Sequence, residues 1–396
     1  MISVAEAKKH IKQLSAPLQP ILMELTNAVG YYLAEPIFAK ADIPAFNQAA
    51  MDGYAFNLTS HSYPEKYSVI DSIMAGANVA IEVKQQQCVR IFTGAAVPDS
   101  ANTVIMQEKI ALNNQQVTIL DEAIFVGKNI RLKGSELKAG ELLLEKNSFL
   151  NAASIGLLAS AGITHIVVYP KPRVAIITTG NELQKPGIEL QKGQVYEANS
   201  FALKAALTQL HLSTALHVQV SDNLIETTKA IEAALLVADI ILITGGISVG
   251  EYDFVKEATK NCKITQVFHK INQKPGKPLF YGIKNQQQIF GIPGNSAAVL
   301  TCFYEYVLIA INLFIGNKNA ELNCIHRPLK DSYNKKPGIA HFLKGHYNET
   351  GVQILGAQES YRLSTFASAN CFVYLPEEST TIHQHELVEV HLIPLS

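Results

Sequence analysis

The chain has 396 residues, 48% hydrophobic and 17% charged, an ordinary balance for a globular protein with room for about two to four domains. A formal net charge of −1 excludes a global field that draws in nucleic acid or an anionic membrane, so any basic site is local. Five cysteines (Cys88, Cys262, Cys302, Cys324, Cys371) with no CxxC pair argue against a zinc site or a disulfide frame, and for a reducing, cytoplasmic setting.

From the amino end, "MISVAEAKKHIKQLSAPL" spaces its apolar residues as an amphipathic helix over about Val4–Leu14 and lacks the continuous apolar stretch of a signal peptide. "YSVIDSIMAG", "QCVRIFTG", "NTVIMQE", "QVTIL" and "AIFVGKNIRL" cluster β-formers between Gly, Pro, Asn and Asp, which predicts a β-rich domain. "SFLNAASIGLLASAGITHI" (148–166) is helical in pattern, so the β-rich domain reads as an insertion into a small helical element. The expected division is 1–26 with 140–171 as the helical element and 27–139 as the insertion.

Beyond Pro172 strands and helices alternate. "RVAIITTG", "STALHVQVSD" and "DIILITGG" read as buried strands, and "SFALKAALTQLH", "LIETTKAIEAALLVA" and "EYDFVKEATKN" as helices. That order means βαβ units and a parallel, doubly wound sheet covered on both faces, over 172–320. "KPLFYGIKNQQQIFGI" reads as a hairpin feeding the apolar stretch 297–315. This stretch approaches a membrane span in length, yet Glu305 and Asn312 interrupt it and favour a buried helix. From 321 to 396, "AHFLKGHY", "VQILGA", "CFVYLPE" and "ELVEVHLIPL" suggest a small β barrel or sandwich. The fold class is therefore α/β with β domains.

Ligands of open α/β sheets bind at the carboxyl ends of the strands. Three predicted strands end in polar loops: Thr179-Gly180-Asn181-Glu182, Ser221-Asp222, and "GGISVGEYD", which runs from Gly245 and Gly246 through Ser248 and Gly250 to Asp253. Glycines let backbone approach a bound group and helix amino ends attract anions, while Glu182, Asp222 and Asp253 suit a hard cation such as Mg²⁺. Opposite charge comes from "KINQKPGKP", where a rigid turn carries Lys270, Lys274 and Lys277. "GIPGNSAAV" places Pro293, Gly294, Asn295 and Ser296 at a helix start. Each piece also has a plain structural reading: Ser248 or Asp222 as a cap, Glu182 as a solvated acid, Asn295 or Ser296 as helix initiation. The coincidence on three strand ends of one sheet favours a binding site, without naming a reaction.

"IPAFNQAAMDGYAF", "RIFTGAAVP", "TTGNEL", "GGISVGEYDFV", "KPGKP" and "IPGN", in this order, resemble the molybdopterin molybdenumtransferases of the MoeA type and are similar to the E domain of gephyrin. The likeness extends through "IRLKGSELKAGELLL", "SIGLLASAGI" and "SANCFVYLPEE". It implies a Mg²⁺-dependent enzyme that inserts molybdenum from molybdate at the dithiolene sulfurs of adenylylated molybdopterin and releases AMP. It further implies that 172–320 is the molybdopterin-binding domain and that the protein is a homodimer with its site between protomers. Molybdopterin adenylyltransferase and molybdoenzyme acceptors are implied as further partners. By motif position, Glu182, Asp222 and Asp253 line the cleft, with Glu182 and Asp253 at the metal. The lysines meet phosphate or molybdate, and Asp52, Thr93 and Arg131 reach in from the partner chain. Three departures stand out: Ser296 replaces a proline of "PGNP", Glu136 replaces the aspartate of "GED", and Tyr361 stands where glycine is common. Two alternatives are a molybdopterin adenylyltransferase, whose stand-alone domain has no place for "AAMDGYAF" or "RIFTGAAVP", and a catalytically silent scaffold relative.

Overall fold

A computed structural model describes residues 1–59, 66–78, 80–247 and 254–394 and divides the chain into two units, Met1–Ile21 with Val167–Ser396, and Leu22–Ile166.

In the larger unit a six-stranded sheet has the order Thr214–Val220, Val174–Thr179, Ile240–Thr244, Gln287–Ile292, Phe280–Lys284, Thr265–His269. The first four strands run parallel, as the βαβ pattern predicts; Phe280–Lys284 is antiparallel to both its neighbours and forms the expected hairpin with Gln287–Ile292. Alternation explains why the parallel strands read as unbroken apolar runs. Val174, Ile176, Ile240 and Leu242 enter one core with Phe290 and the helix Ser296–Phe314. Ala175, Ile177, Ile241 and Ile243 enter a second core with Ala230, Ile231 and Ala234 of the helix Leu224–Val237. The edge strand Thr265–His269 went unpredicted, because "TQVFH" has neither a long apolar run nor strong flanking turn signals.

Among the described residues, Ser296–Phe314 is the one helix long and apolar enough to cross a membrane, and 83% of its apolar window is buried inside the protein. Its middle turn, Phe303–Val307, is π-helical. Glu305 sits in that turn with a fully buried side chain, 2.8 Å from Lys8 Nζ and 2.7 Å from His391 Nδ1. Lys8 belongs to the helix Val4–Leu14, whose amino end is closed by a capping box between Ser3 and Glu6. Lys8 also meets Glu321 at 3.0 Å. Burial opposes both charges of the central pair. The attraction overrides it, raising the Lys8 pKa above its ordinary value and lowering that of Glu305.

The carboxyl-terminal strands Ala340–Asn348, Cys371–Leu375, Leu387–Leu392 and Cys324–Pro328 pair in that order, and Gly351–Ile354 pairs with Ala340–Asn348. A bridge from Leu329 to Val352 closes these strands into a small barrel around Leu343, Val373, Val388 and Val390. A short helix, Leu363–Ala367, interrupts what the sequence presents as all-β.

In the smaller unit the sheet order is Thr103–Met106, Gly53–Phe56, Gln87–Ile91, Tyr67–Ile73, Gln116–Ile119, Ile110–Asn113. Gly53–Phe56 is flanked by strands on either side and buried on both faces: Ala55 packs with Val89 and Val104, whereas Tyr54 and Phe56 pack with Tyr67 and Ile105. The helix expected over 148–166 is confined to Ala152–Ser160, begun by Asn151, whose side chain accepts from the Ser154 amide at 2.9 Å. The following "HIVVY" is a strand, His165–Tyr169, in keeping with its β-branched residues.

Removing one partner of a buried ion pair strands the other charge. Lys8→Met is expected to lower the unfolding free energy by about 3 kcal/mol, and the double variant Lys8→Met/Glu305→Gln by less than the sum of the single changes, measured by denaturant titration. Because the folded Glu305 pKa lies below its ordinary 4.5, its contribution is present above that pH and is lost on acidification.

Candidate functional site

Strand order places the topological switch point between Val174–Thr179 and Ile240–Thr244, since the chain continues from the first to one neighbour and returns on the other side. Their carboxyl ends, Thr179 and Gly245, touch. A Cβ on Gly245 would lie 2.3 Å from the Thr179 carbonyl oxygen, and the residue has φ +85°. Only glycine fits this approach without strain. Gly180, at φ +150°, leaves room in the same way for Glu182, whose carboxylate oxygens would lie 2.8 and 2.9 Å from an added Cβ.

A cleft of about 600 Å³ opens at this point. Of the expected residues, Glu182, Gly245, Pro293, Gly294, Asn295 and Ser296 line it. Gly180 and Asp222 are not among its lining residues, although Asp222 is tied to Asn181, the neighbour of Glu182. The Asn181 amide donates to the Asp222 carboxylate at 3.3 Å, and the Asp222 amide donates back to Asn181 Oδ1 at 3.1 Å. Asp222 is not the cap of the following helix; that role falls to Asn223, which accepts from the Ile225 and Glu226 amides. Ser248, Gly250 and Asp253 lie outside the described residues, and Gly246 follows the contact at Gly245 with φ +60°.

Two expectations about the start of the helix Ser296–Phe314 change. The amides at the start of the helix Ser296–Phe314 do not stand open to an anion: those of Ala297 and Ala298 donate to the Ser360 carbonyl at 3.0 and 3.2 Å. Asn295 does not cap that helix through its side chain, which instead donates to Ser360 Oγ at 2.9 Å. The turn carrying Lys270, Lys274 and Lys277 contributes Pro278 to the cleft wall, while none of the three lysines lines it. Lys274 and Lys277 are exposed, and the charge of Lys274, with that of Lys335, presses on His341.

Sequence reasoning placed Thr179 in a strand-end loop without giving it a role, and missed Asn199 and Tyr361 as cleft residues, apart from noting Tyr361 as a departure. Asn199 opens a helix and donates to the Gly294 carbonyl at 2.8 Å, tying the helix to the turn. Its Oδ1 and the Thr179 Oγ1 are buried without a hydrogen-bond partner among the described residues. An unmatched buried oxygen costs free energy, so two at one cleft indicate a ligand group that supplies what they lack. Glu182, Thr179 and Asn199, all in the cleft lining, each offer oxygen, the donor type that suits a hard cation.

In the smaller unit the Asp52 carboxylate accepts from both the amide and the hydroxyl of Thr93 at 2.7 Å. These bonds lower its pKa, with Arg90 adding to the effect. Arg90, absent from the expected set, lies 5.0 Å from the ring centroids of Tyr54 and Phe92. Arg131 is held opposite Gln48 by strand pairing and lines a separate cleft of about 770 Å³ with Asp42, Phe46 and Glu136. Asp52 and Thr93 are not among its lining residues.

Residues 2–162 match the MoeA N-terminal region (domain I and II), 175–312 a probable molybdopterin binding domain, and 326–393 the MoeA C-terminal region (domain IV). The chain is similar to a molybdopterin molybdenumtransferase of Haemophilus influenzae, at 35% identity over 98% of both chains. It is also similar to one of Staphylococcus epidermidis, at 31% identity over 99% of this chain and 95% of the relative. A solved MoeA protein of Pyrococcus horikoshii, for molybdopterin biosynthesis, superposes with TM-score 0.84 at 28% identity and covers 99% of each chain.

Gly245→Ala is expected to cost about 2 kcal/mol through the clash with Thr179 and the positive φ, read as a lowered melting temperature. Thr179→Val removes an unmatched hydroxyl and is expected to stabilise the ligand-free protein by about 1 kcal/mol in the same assay.

Proposed function

Because the chain belongs to the MoeA family of molybdopterin molybdenumtransferases and serves molybdenum cofactor biosynthesis, we propose that its switch-point cleft takes adenylylated molybdopterin, accepts molybdenum from molybdate and releases AMP. The protein is a transferase and molybdopterin is its substrate. The observation that carries the reading is the pair of unmatched oxygens, Thr179 Oγ1 and Asn199 Oδ1, in a cleft walled by Glu182 and the Pro293–Ser296 turn.

Cleaving a phosphoanhydride needs charge neutralisation and alignment more than a protein nucleophile. Glu182 and Asp253 are proposed to hold Mg²⁺, with Thr179 and Asn199 as neighbouring oxygen donors. When bound, the ion neutralises phosphate charge and polarises the anhydride. Asn181 and Asp222 hold two strand-end loops together, so Glu182 stays at the rim. Lys270, Lys274 and Lys277 are assigned to the anionic substrate, and Gly180, Gly245 and Gly246, with Ser248 and Gly250, to close backbone approach. Molybdenum itself travels as substrate on the pterin's sulfurs, so no protein ligand set is required for it.

Asp52, Thr93 and Arg131 are proposed to act from the partner chain of a homodimer. The same reading keeps the four-part division at 1–26 with 140–171, 27–139, 172–320 and 321–396, and a cytoplasmic setting. An adenylyltransferase is disfavoured because the match includes the MoeA N- and C-terminal regions as well as the molybdopterin binding domain.

Glu182→Gln and Asp253→Asn are expected to slow molybdate-dependent AMP release at limiting Mg²⁺ by at least about 100-fold, with the melting temperature retained; wild-type rates in both variants would refute the assignment. Mixing Asp52→Ala with Asp253→Asn protein is expected to restore part of the activity through mixed dimers. No recovery after demonstrated subunit exchange would mean that each site is built from one chain.

A further inference from the structure

Away from the cleft, the barrel carries a second constellation. Cys324 and His391 are directly opposite one another on antiparallel strands, and His326 is opposite Glu389 in the same ladder. Directly opposed residues share a face, as do residues two apart, so Cys324, His326, Glu389 and His391 all project to one side. Among the described residues, Cys324, Glu389 and His391 have ligand atoms that all lie within 4.8 Å of one another.

The geometry points to a divalent transition-metal site of the zinc type, with Cys324 Sγ, a Glu389 carboxylate oxygen and His391 Nε2 as ligands. Sulfur, oxygen and imidazole nitrogen together suit a borderline-soft tetrahedral ion better than Mg²⁺ or Ca²⁺. A tetrahedral ion bound at about 2.0–2.3 Å separates its donors by roughly 3.3–3.5 Å. Cys324 Sγ is already 3.4 Å from Glu389 Oε1, whereas His391 Nε2 is 2.8 Å from it. The latter pair needs to open by about half an ångström, as the proton between them leaves and the ion takes its place.

The orientation of His391 supports the assignment. Its Nδ1 is 2.7 Å from Glu305 Oε1, and the ring stacks on Tyr374 with centroids 5.5 Å apart. A carboxylate on one imidazole nitrogen, fixing the ring so that the other nitrogen faces the ion, is the usual support of a metal-binding histidine. Lys8, which lines the same cavity as Glu389 and His391, already has its charge matched by Glu305 and Glu321. Glu389 and His391 open onto a cavity of about 500 Å³, which provides an entry path. His326, exposed and in register with Glu389, supplies the fourth position by a side-chain rotation, or water does. Lack of a CxxC pair argues against a cysteine-rich zinc site, not against a mixed one assembled across two strands.

Cobalt titration of the chelator-treated full-length protein tests the site, because a Co²⁺–thiolate bond gives its own near-ultraviolet charge-transfer band. Cys88, Cys262, Cys302 and Cys371 are buried and Cys324 is exposed, so the band reports on Cys324. The expected result is one equivalent of Co²⁺ per chain with the band, displaced by Zn²⁺. Cys324→Ser should abolish the band and Glu389→Gln weaken Zn²⁺ binding at least about 10-fold, while Glu182→Gln, in the other cleft, leaves the band intact. Absence of the band in the wild-type chain, its survival in Cys324→Ser, or its loss in Glu182→Gln would each overturn the assignment.

Discussion

One buried carboxylate organises the larger unit. Glu305 is taken wholly out of water in the middle of an apolar helix, a position tolerable only if both its oxygens are matched. One is held by Lys8 from the amino-terminal helix and the other by His391 from the barrel. Three segments far apart in sequence are thereby fixed at one point. The π-helical turn around Glu305 shifts the helical phase locally, a common sign that a side chain is being aimed at the expense of ideal hydrogen bonding. The helix so anchored begins at Ser296, at the edge of the cleft, so an ion pair deep in the core also sets where the cleft wall stands.

The second constraint is steric and local. Adjacent parallel strands that end together must turn away from each other, and here the turn brings Gly245 against the Thr179 carbonyl. A side chain at Gly245 would collide with Thr179, so glycine is what lets the two strand ends meet at the cleft. The cost is visible in Thr179 Oγ1 and Asn199 Oδ1, which are left without partners. Such local shortfalls are what a binding site looks like when the surrounding sheet is stable enough to sustain them.

The buried parallel strands were legible because their apolar runs are long and their loops carry Gly and acidic residues. "RVAIITTG" and "DIILITGG" announce both the strand and its functional end. The edge strand Thr265–His269 was not legible, since an edge is defined by its neighbour rather than by its own residues. The helix over 148–166 was overextended because "GITHIVVY" continues apolar beyond the true end, and periodicity alone does not separate a buried strand from a short buried helix. Tyr361 and Asn199 escaped notice as cleft residues because their placement depends on tertiary contacts: Ser360 covers the start of Ser296–Phe314, and Asn199 binds the Gly294 carbonyl. Cys324, Glu389 and His391 escaped for the same reason, as strand pairing alone brings them together.

The Ser360 contact bears on how the proposed chemistry is balanced. A glycine-rich turn before a helix normally offers its first amides and the positive end of the dipole to an anion. Here the Ala297 and Ala298 amides are spent on a backbone carbonyl, which leaves that helix end poorly placed to neutralise a phosphate. The cleft wall instead carries Glu182 and uncharged oxygens, an environment that repels an anionic substrate on its own. Under the proposed function, negative charge from phosphate and molybdate is therefore balanced by a divalent ion and by lysines outside the wall. Binding of cation and substrate then becomes mutually dependent, because each makes the other's electrostatic environment favourable.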